Sequence, residues 1–179
     1  MKRRLLNQKG MTMVELLVAS TFAVLLTSGI YAFASFFTNA QYEYQSHVEL
    51  TNDARLVLER MVWGNKLSTQ ANRRGIAEAA TGTIVSATQF RYNDKDGAQH
   101  TLRLNSGNIE YQYGTAGTWN TLLDANGTAA YDATKYTMSL AFTQPVNPNS
   151  VNVRVVVGKK ILSKWYYGSA ATQVFYRNS

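Results

Sequence analysis

Cysteine is absent from this 179-residue chain, so neither disulfides nor thiolate-bound metal can hold it together. Histidine occurs only at His47 and His100, too few for a histidine-rich metal cluster, and no cofactor is expected. Proline is confined to Pro145 and Pro148, so no proline interrupts a helix anywhere before residue 145. The chain has no glycine-rich phosphate loop, no His-Glu-x-x-His and no nucleophile elbow, and no Ser, Cys or Asp motif accompanies His100. The sequence therefore predicts no enzyme. The largest absence is of charge. From Leu16 through Tyr42, about 27 positions, no side chain is charged. As a helix rising ~1.5 Å per residue the run reaches about 40 Å, more than the ~30 Å core of a bilayer.

What flanks this run is as informative as the run itself. Before it stand Lys2, Arg3, Arg4 and Lys9, then Gly10 and Met11, and one carboxylate, Glu15, lies inside its start. The formal charge of +7 is inflated by those four basic residues; the remainder carries 14 basic against 11 acidic side chains, or +3. That is not by itself a nucleic-acid-binding balance. The clustered positive charge instead fits an N-terminus kept in the cytoplasm. A lone carboxylate in apolar surroundings is costly and needs a reason. A cleaved secretory signal would explain the run, with Ala32-Phe33-Ala34 as its cut site, but the apolar region is about twice the usual ~7–15 residues. A plain membrane anchor, with Glu15 snorkelling to the interface, and the core helix of a soluble protein are the other ordinary readings.

Beyond Phe37 apolar density falls while helix signals persist. Leu50, Ala54, Val57 or Leu58, Met61 and Leu67 recur at helical spacing, with Glu49, Asp53, Arg55, Glu59 and Arg60 largely elsewhere. The spacing predicts one helix from about Thr12 to Leu67, amphipathic in its second half, with Gly29 a place for bending. Asn72-Arg73-Arg74-Gly75 reads as the end of the helical region, followed by a connector with a short helical turn near Ala77–Ala80. The period then becomes two. Ile84 to Tyr92 reads as one strand, Asn93 to Gly97 as a turn, and His100–Leu104 and Ile109–Tyr113 complete a meander. Gly114 to Gly127 reads as a loop whose Trp119 and Leu122-Leu123 dock on the core. Tyr136–Thr143 and Val151–Val157 are further strands, and the tail from Gln173 could add a last one. A long helix followed by an antiparallel sheet gives an α+β fold.

The N-terminal residues Lys9-Gly10-Met11-Thr12-Met13-Val14-Glu15-Leu16-Leu17-Val18 resemble a type IV prepilin signal. The resemblance implies cleavage by a prepilin peptidase between Gly10 and Met11, N-methylation of Met11, and Glu15 as the fifth mature residue. In that family the glutamate pairs with a neighbouring subunit's N-terminal amine. The family usually has phenylalanine where Met11 stands. The implied organisation is a leader over 1–10, a membrane and polymerisation half-helix over 11–42, and an extracytoplasmic head over 43–179 that includes an amphipathic half-helix, 43–70. Weaker features resemble minor pilins and minor pseudopilins of the PilW/GspJ-like group: the Phe90-Arg91-Tyr92 strand, the Leu-Leu after Trp119, the Val-rich strand and the terminal Arg177-Asn178. The resemblance implies a structural subunit that initiates, caps or decorates a type IV pilus or a type II secretion pseudopilus. It implies residence in the inner membrane as a single-pass protein before assembly. The implied partners are other pilin subunits, the peptidase and membrane lipid. A membrane-anchored binding module that never polymerises, or a DNA-uptake pilin, is the alternative.

Two further patterns bear on chemistry. Asp94-Lys95-Asp96-Gly97 offers alternating oxygens as a calcium loop does, but Arg103 stands about where the closing glutamate belongs, so a hairpin turn is the plainer reading. Arg73-Arg74, and Lys159-Lys160-Lys164 beside Trp165-Tyr166-Tyr167, could serve a polyanion such as single-stranded nucleic acid. Set against that is a solvated hairpin with amphipathic aromatics.

Overall fold

The computed structural model describes residues 11–64, 74–123, 136–161 and 163–177. The chain divides into two compact units, Met1–Glu43 and Tyr44–Ser179. Helix α1 runs Met13–Trp63, 51 residues, unbroken through Gly29. Its buried stripe is Ser46, Leu50, Ala54, Val57, Leu58, Met61 and Val62, the expected set with Ser46 and Val62 added. Leu67 lies outside the described residues. The helix stops earlier than predicted, because Gly64 takes a left-handed conformation (φ 74°) just after Trp63, which ends a helix without steric cost. Gly75, expected as the terminating residue, is extended (φ −84°) and precedes the 3₁₀ turn Ile76–Glu78. The amphipathic half-helix thus ends at Trp63 rather than near 70.

Among the described residues eight antiparallel strands follow, in two sheets. Strands β1 (Ala79–Ser86), β2 (Gln89–Asp94), β3 (Gln99–Asn105), β4 (Asn108–Tyr113) and β5 (Trp119–Leu123) form a meander in chain order. Strands β6 (Tyr136–Thr143), β7 (Ser150–Ile161) and β8 (Lys164–Phe175) form the second sheet. The predicted single strand Ile84–Tyr92 is in fact a hairpin, with Ser86 paired to Gln89. Its turn, Ala87-Thr88, contains neither Gly, Asn nor Asp; the Ser86 hydroxyl accepts from the Thr88 amide (3.3 Å) in their place. The stretch expected as a loop contains β5. Trp119 is half-buried beneath the Arg103 guanidinium, 3.6 Å from its ring centre, and does not join the buried core. The side chains of Leu122 and Leu123 lie outside the described residues. The last strand begins at Lys164, well before Gln173.

Strand alternation aims Phe90, Tyr92, Leu102, Ile109 and Tyr111 of the first sheet into one core with Met138, Leu140, Phe142, Val151, Val153, Val155, Val157 and Val174 of the second. Phe90, fully buried, stacks on Tyr92, Phe142 and Tyr176 with ring centroids 5.8, 5.3 and 6.2 Å away. Leu50, Ala54, Val57 and Met61 of α1 belong to the same cluster, so the amphipathic stripe is explained by burial within the second unit.

Candidate functional site

At the N-terminal end of α1 the first turn closes on itself. The Glu15 carboxylate accepts hydrogen bonds from the Thr12 amide and the Thr12 hydroxyl, both at 2.9 Å, and the Thr12 hydroxyl accepts from the Glu15 amide at 3.3 Å. This is a capping box, Thr12-x-x-Glu15, which satisfies two amide donors that a helix start otherwise leaves open. The spacing was present in the sequence and supplies an explanation for Glu15 that snorkelling did not. Gly10 lies outside the described residues; Met11 is exposed (69%).

Beyond this turn, Leu16, Leu17, Phe22, Leu25, Leu26, Ile30, Phe33 and Phe36 are all exposed. The Ser and Thr side chains among them are turned inward on their own backbone. Ser20, Thr21, Ser28, Ser35 and Thr38 donate to carbonyls three or four residues back at 2.8–3.0 Å, and Thr27 does the same to Ala23. Every hydroxyl of Ser and Thr between Leu16 and Tyr42 is therefore satisfied without water, as apolar surroundings require. By length and composition this helix can cross a membrane.

The second cluster surrounds the β2–β3 turn. Asp94 Oδ1 accepts from the amides of Asp96 and Ala98, both at 2.9 Å, and Gly97 (φ 80°) completes the hairpin turn. The other oxygen, Oδ2, faces Nε2 of the fully buried His100 (3.2 Å) and Nε of Arg74 (3.5 Å), while Arg74 also pairs with Asp96 and, at 3.8 Å, with Glu78. His100 Nδ1 meets the Tyr111 hydroxyl, and its ring stacks on Tyr92 (5.0 Å, 10°). The chain of contacts is consistent with a neutral imidazole that donates from Nε2 to Asp94 and accepts at Nδ1 from Tyr111. Asp94 and Asp96 thus face a guanidinium and an imidazole. Among the described residues no group of three or more His, Cys, Asp or Glu is placed to hold a metal ion.

Comparison of the chain with protein families, characterised proteins and solved structures gives no match. The site must be read from its own chemistry.

Burial pushes the His100 imidazole below its usual range and outweighs the opposing hydrogen bond and charge of Asp94. Burial alone would raise the Asp94 carboxyl, but hydrogen bonds from His100 and from the Ala98 and Asp96 amides hold it below the ordinary value. The sign follows for each. A depressed imidazole means that the unfolded chain binds more protons once pH falls below about 6.5, so stability is lost as pH drops through that value. Asp94 contributes stability above about pH 3.9, and that contribution is lost only in stronger acid. We expect urea denaturation to show lower stability at pH 5.5 than at 7.5, by at most about 1.4 kcal/mol per pH unit from this group. His100→Gln should flatten that difference; equal wild-type stability at both pH values would remove His100 as the buried proton site.

The two basic patterns separate in space and in partners. Arg73 lies outside the described residues, and Arg74 is committed to the carboxylates of the β2–β3 turn. Lys159 reaches Glu49 of α1 at 3.5 Å. Lys160 is exposed opposite Trp165 at the β7–β8 hairpin, and Lys164 Nζ lies over the Tyr166 ring, 5.4 Å from its centre.

Proposed function

We propose that the chain is a type IV pilin-like subunit, a minor pilin or minor pseudopilin, anchored in the inner membrane with its head outside the cytoplasm. The observation that carries the reading is the place of Glu15. It is five residues beyond Gly10, at the head of a helix whose next 27 or so residues carry no charge and whose Ser and Thr hydroxyls are all satisfied internally. Such a surface suits lipid before assembly and other subunits after it. Cleavage after Gly10 would place a new amine on Met11, one residue from the capping Thr12. The head would cap or decorate a filament through contacts with other minor subunits.

Intact mass of the membrane-extracted protein is expected to show loss of residues 1–10 and gain of one methyl group. Gly10→Val should leave an uncut precursor in the membrane, because the peptidase then meets a branched side chain at its cut site. A Gly10→Val chain that still matured to begin at Met11 would overturn the reading. The capping box supports a second one. Because Thr12 satisfies Glu15 within a single chain, the carboxylate needs no neighbouring subunit, as suits an anchored binding module that never polymerises. That reading expects an unprocessed N-terminus.

A further inference from the structure

After Asp132 the chain contains no acidic residue and six basic ones, Lys135, Arg154, Lys159, Lys160, Lys164 and Arg177. The whole β6-β7-β8 sheet falls within this stretch. Its inner face is the valine-rich side of the core; its outer face follows from alternation. Cross-strand pairing places Lys160 opposite Trp165, Gly158 opposite Tyr167, Val156 opposite Ser169 and Arg154 opposite Ala171, with Thr137, Ser139 and Ala141 on the adjoining strand. Trp165 and Tyr167 stack with centroids 6.2 Å apart and planes 18° from parallel. Gly158 makes this possible. A Cβ there would stand 2.8 Å from the Tyr167 ring, so the ring lies across bare backbone, and Tyr167 is still half exposed. The result is an aromatic shelf on a floor of small residues, with exposed Lys160 at one end and exposed Arg154 about 20 Å along β7.

We infer that this face binds single-stranded nucleic acid, with bases stacked on Trp165 and Tyr167 and phosphates on Arg154 and Lys160. Charge complementarity selects a polyanion, because no carboxylate on any of the three strands competes with it. The shelf selects among polyanions. A duplex hides its base faces in its own stack and would use the cations alone, whereas a single strand offers flat rings and phosphates together. The inference does not depend on whether the chain polymerises, since every residue belongs to the second unit.

The test uses the full chain in detergent and a fluorescently labelled oligothymidine of about 12 nucleotides, followed by anisotropy. Binding is expected, with log affinity falling against log salt at a slope of roughly −1.4 for two phosphate contacts. Tyr167→Ala should weaken it about 5-fold or more, while Tyr167→Phe, which keeps the ring over Gly158, should bind as wild type. Lys160→Gln, a surface change that leaves packing alone, should lower the magnitude of the slope by about 0.7. The inference is overturned by absence of binding, by a Lys160→Gln slope equal to wild type, or by a folded Tyr167→Ala that binds unchanged. Equal binding of an oligouronate with the same Tyr167 dependence would assign the shelf to polysaccharide instead.

Discussion

Gly168→Ala is expected to destabilise the second unit by about 3 kcal/mol or more, lowering its melting temperature by roughly 10 °C. Gly168 lies on β8 where α1 crosses closest. A Cβ at this position would stand 2.2 Å from the Leu50 carbonyl carbon, 2.3 Å from the Thr51 amide nitrogen and 2.5 Å from the Leu50 oxygen. All three are backbone atoms, so no rotamer change relieves the clash; helix and strand must move apart. Moving them would open the packing of Leu50 and Ala54, both fully buried, and strain the 2.9 Å contact between His47 Nδ1 and the Tyr167 carbonyl. The control is Gly97→Ala. Gly97 has open space around it, so only its left-handed backbone (φ 80°) opposes a side chain, at about 1–2 kcal/mol. Thermal melts followed by circular dichroism compare the two. A Gly168→Ala chain no less stable than Gly97→Ala would mean that α1 does not lie on β8 as described.

Why some of this was legible and some was not has a physical pattern. The α1 stripe and the β2-β3-β4 meander are set by local alternation and by turns made of Asn, Asp and Gly, which a sequence displays. The Ala87-Thr88 turn hid because a serine hydroxyl, not a glycine, closes it, and strand-like residues on both sides kept the period running. The helix end was misplaced because a basic turn before Gly75 outweighed the single glycine at 64. Strand β8 was largely missed because Gly168, Ser169, Ala170 and Ala171 are poor strand formers, chosen for close approach to α1 and for a flat outer face. His100 is a different matter. Its hydrogen-bond partners, Asp94 of β2 and Tyr111 of β4, come from separate strands, and the contacts exist only once β2, β3 and β4 are in register. The division into two sheets likewise depends on which strands stay unpaired, which periodicity does not encode. Thr12-x-x-Glu15, by contrast, is written in the sequence, since its spacing is that of a capping box.

The Glu15 carboxylate has two candidate duties, capping its own helix through Thr12 and, under the proposed function, meeting the Met11 amine of a neighbouring subunit. Thr12→Ala removes the hydroxyl half of the cap but leaves the carboxylate; Glu15→Val removes both duties. If pairing dominates, Glu15→Val is expected to be cleaved after Gly10 and to fold, yet to enter filaments roughly tenfold less or worse, because the neighbour's amine is left unpaired in apolar surroundings. Thr12→Ala should then assemble as wild type. Glu15→Gln is the decisive third variant, since an amide oxygen can still accept from the Thr12 amide but carries no charge to offset an ammonium. Recovery of each variant in a sheared filament fraction, normalised to processed subunit in the membrane, measures the difference. A Glu15→Gln chain that assembled normally would leave Glu15 as a helix cap and nothing more. A Glu15→Gln chain as defective as Glu15→Val, beside a normal Thr12→Ala, would show that its charge acts between subunits.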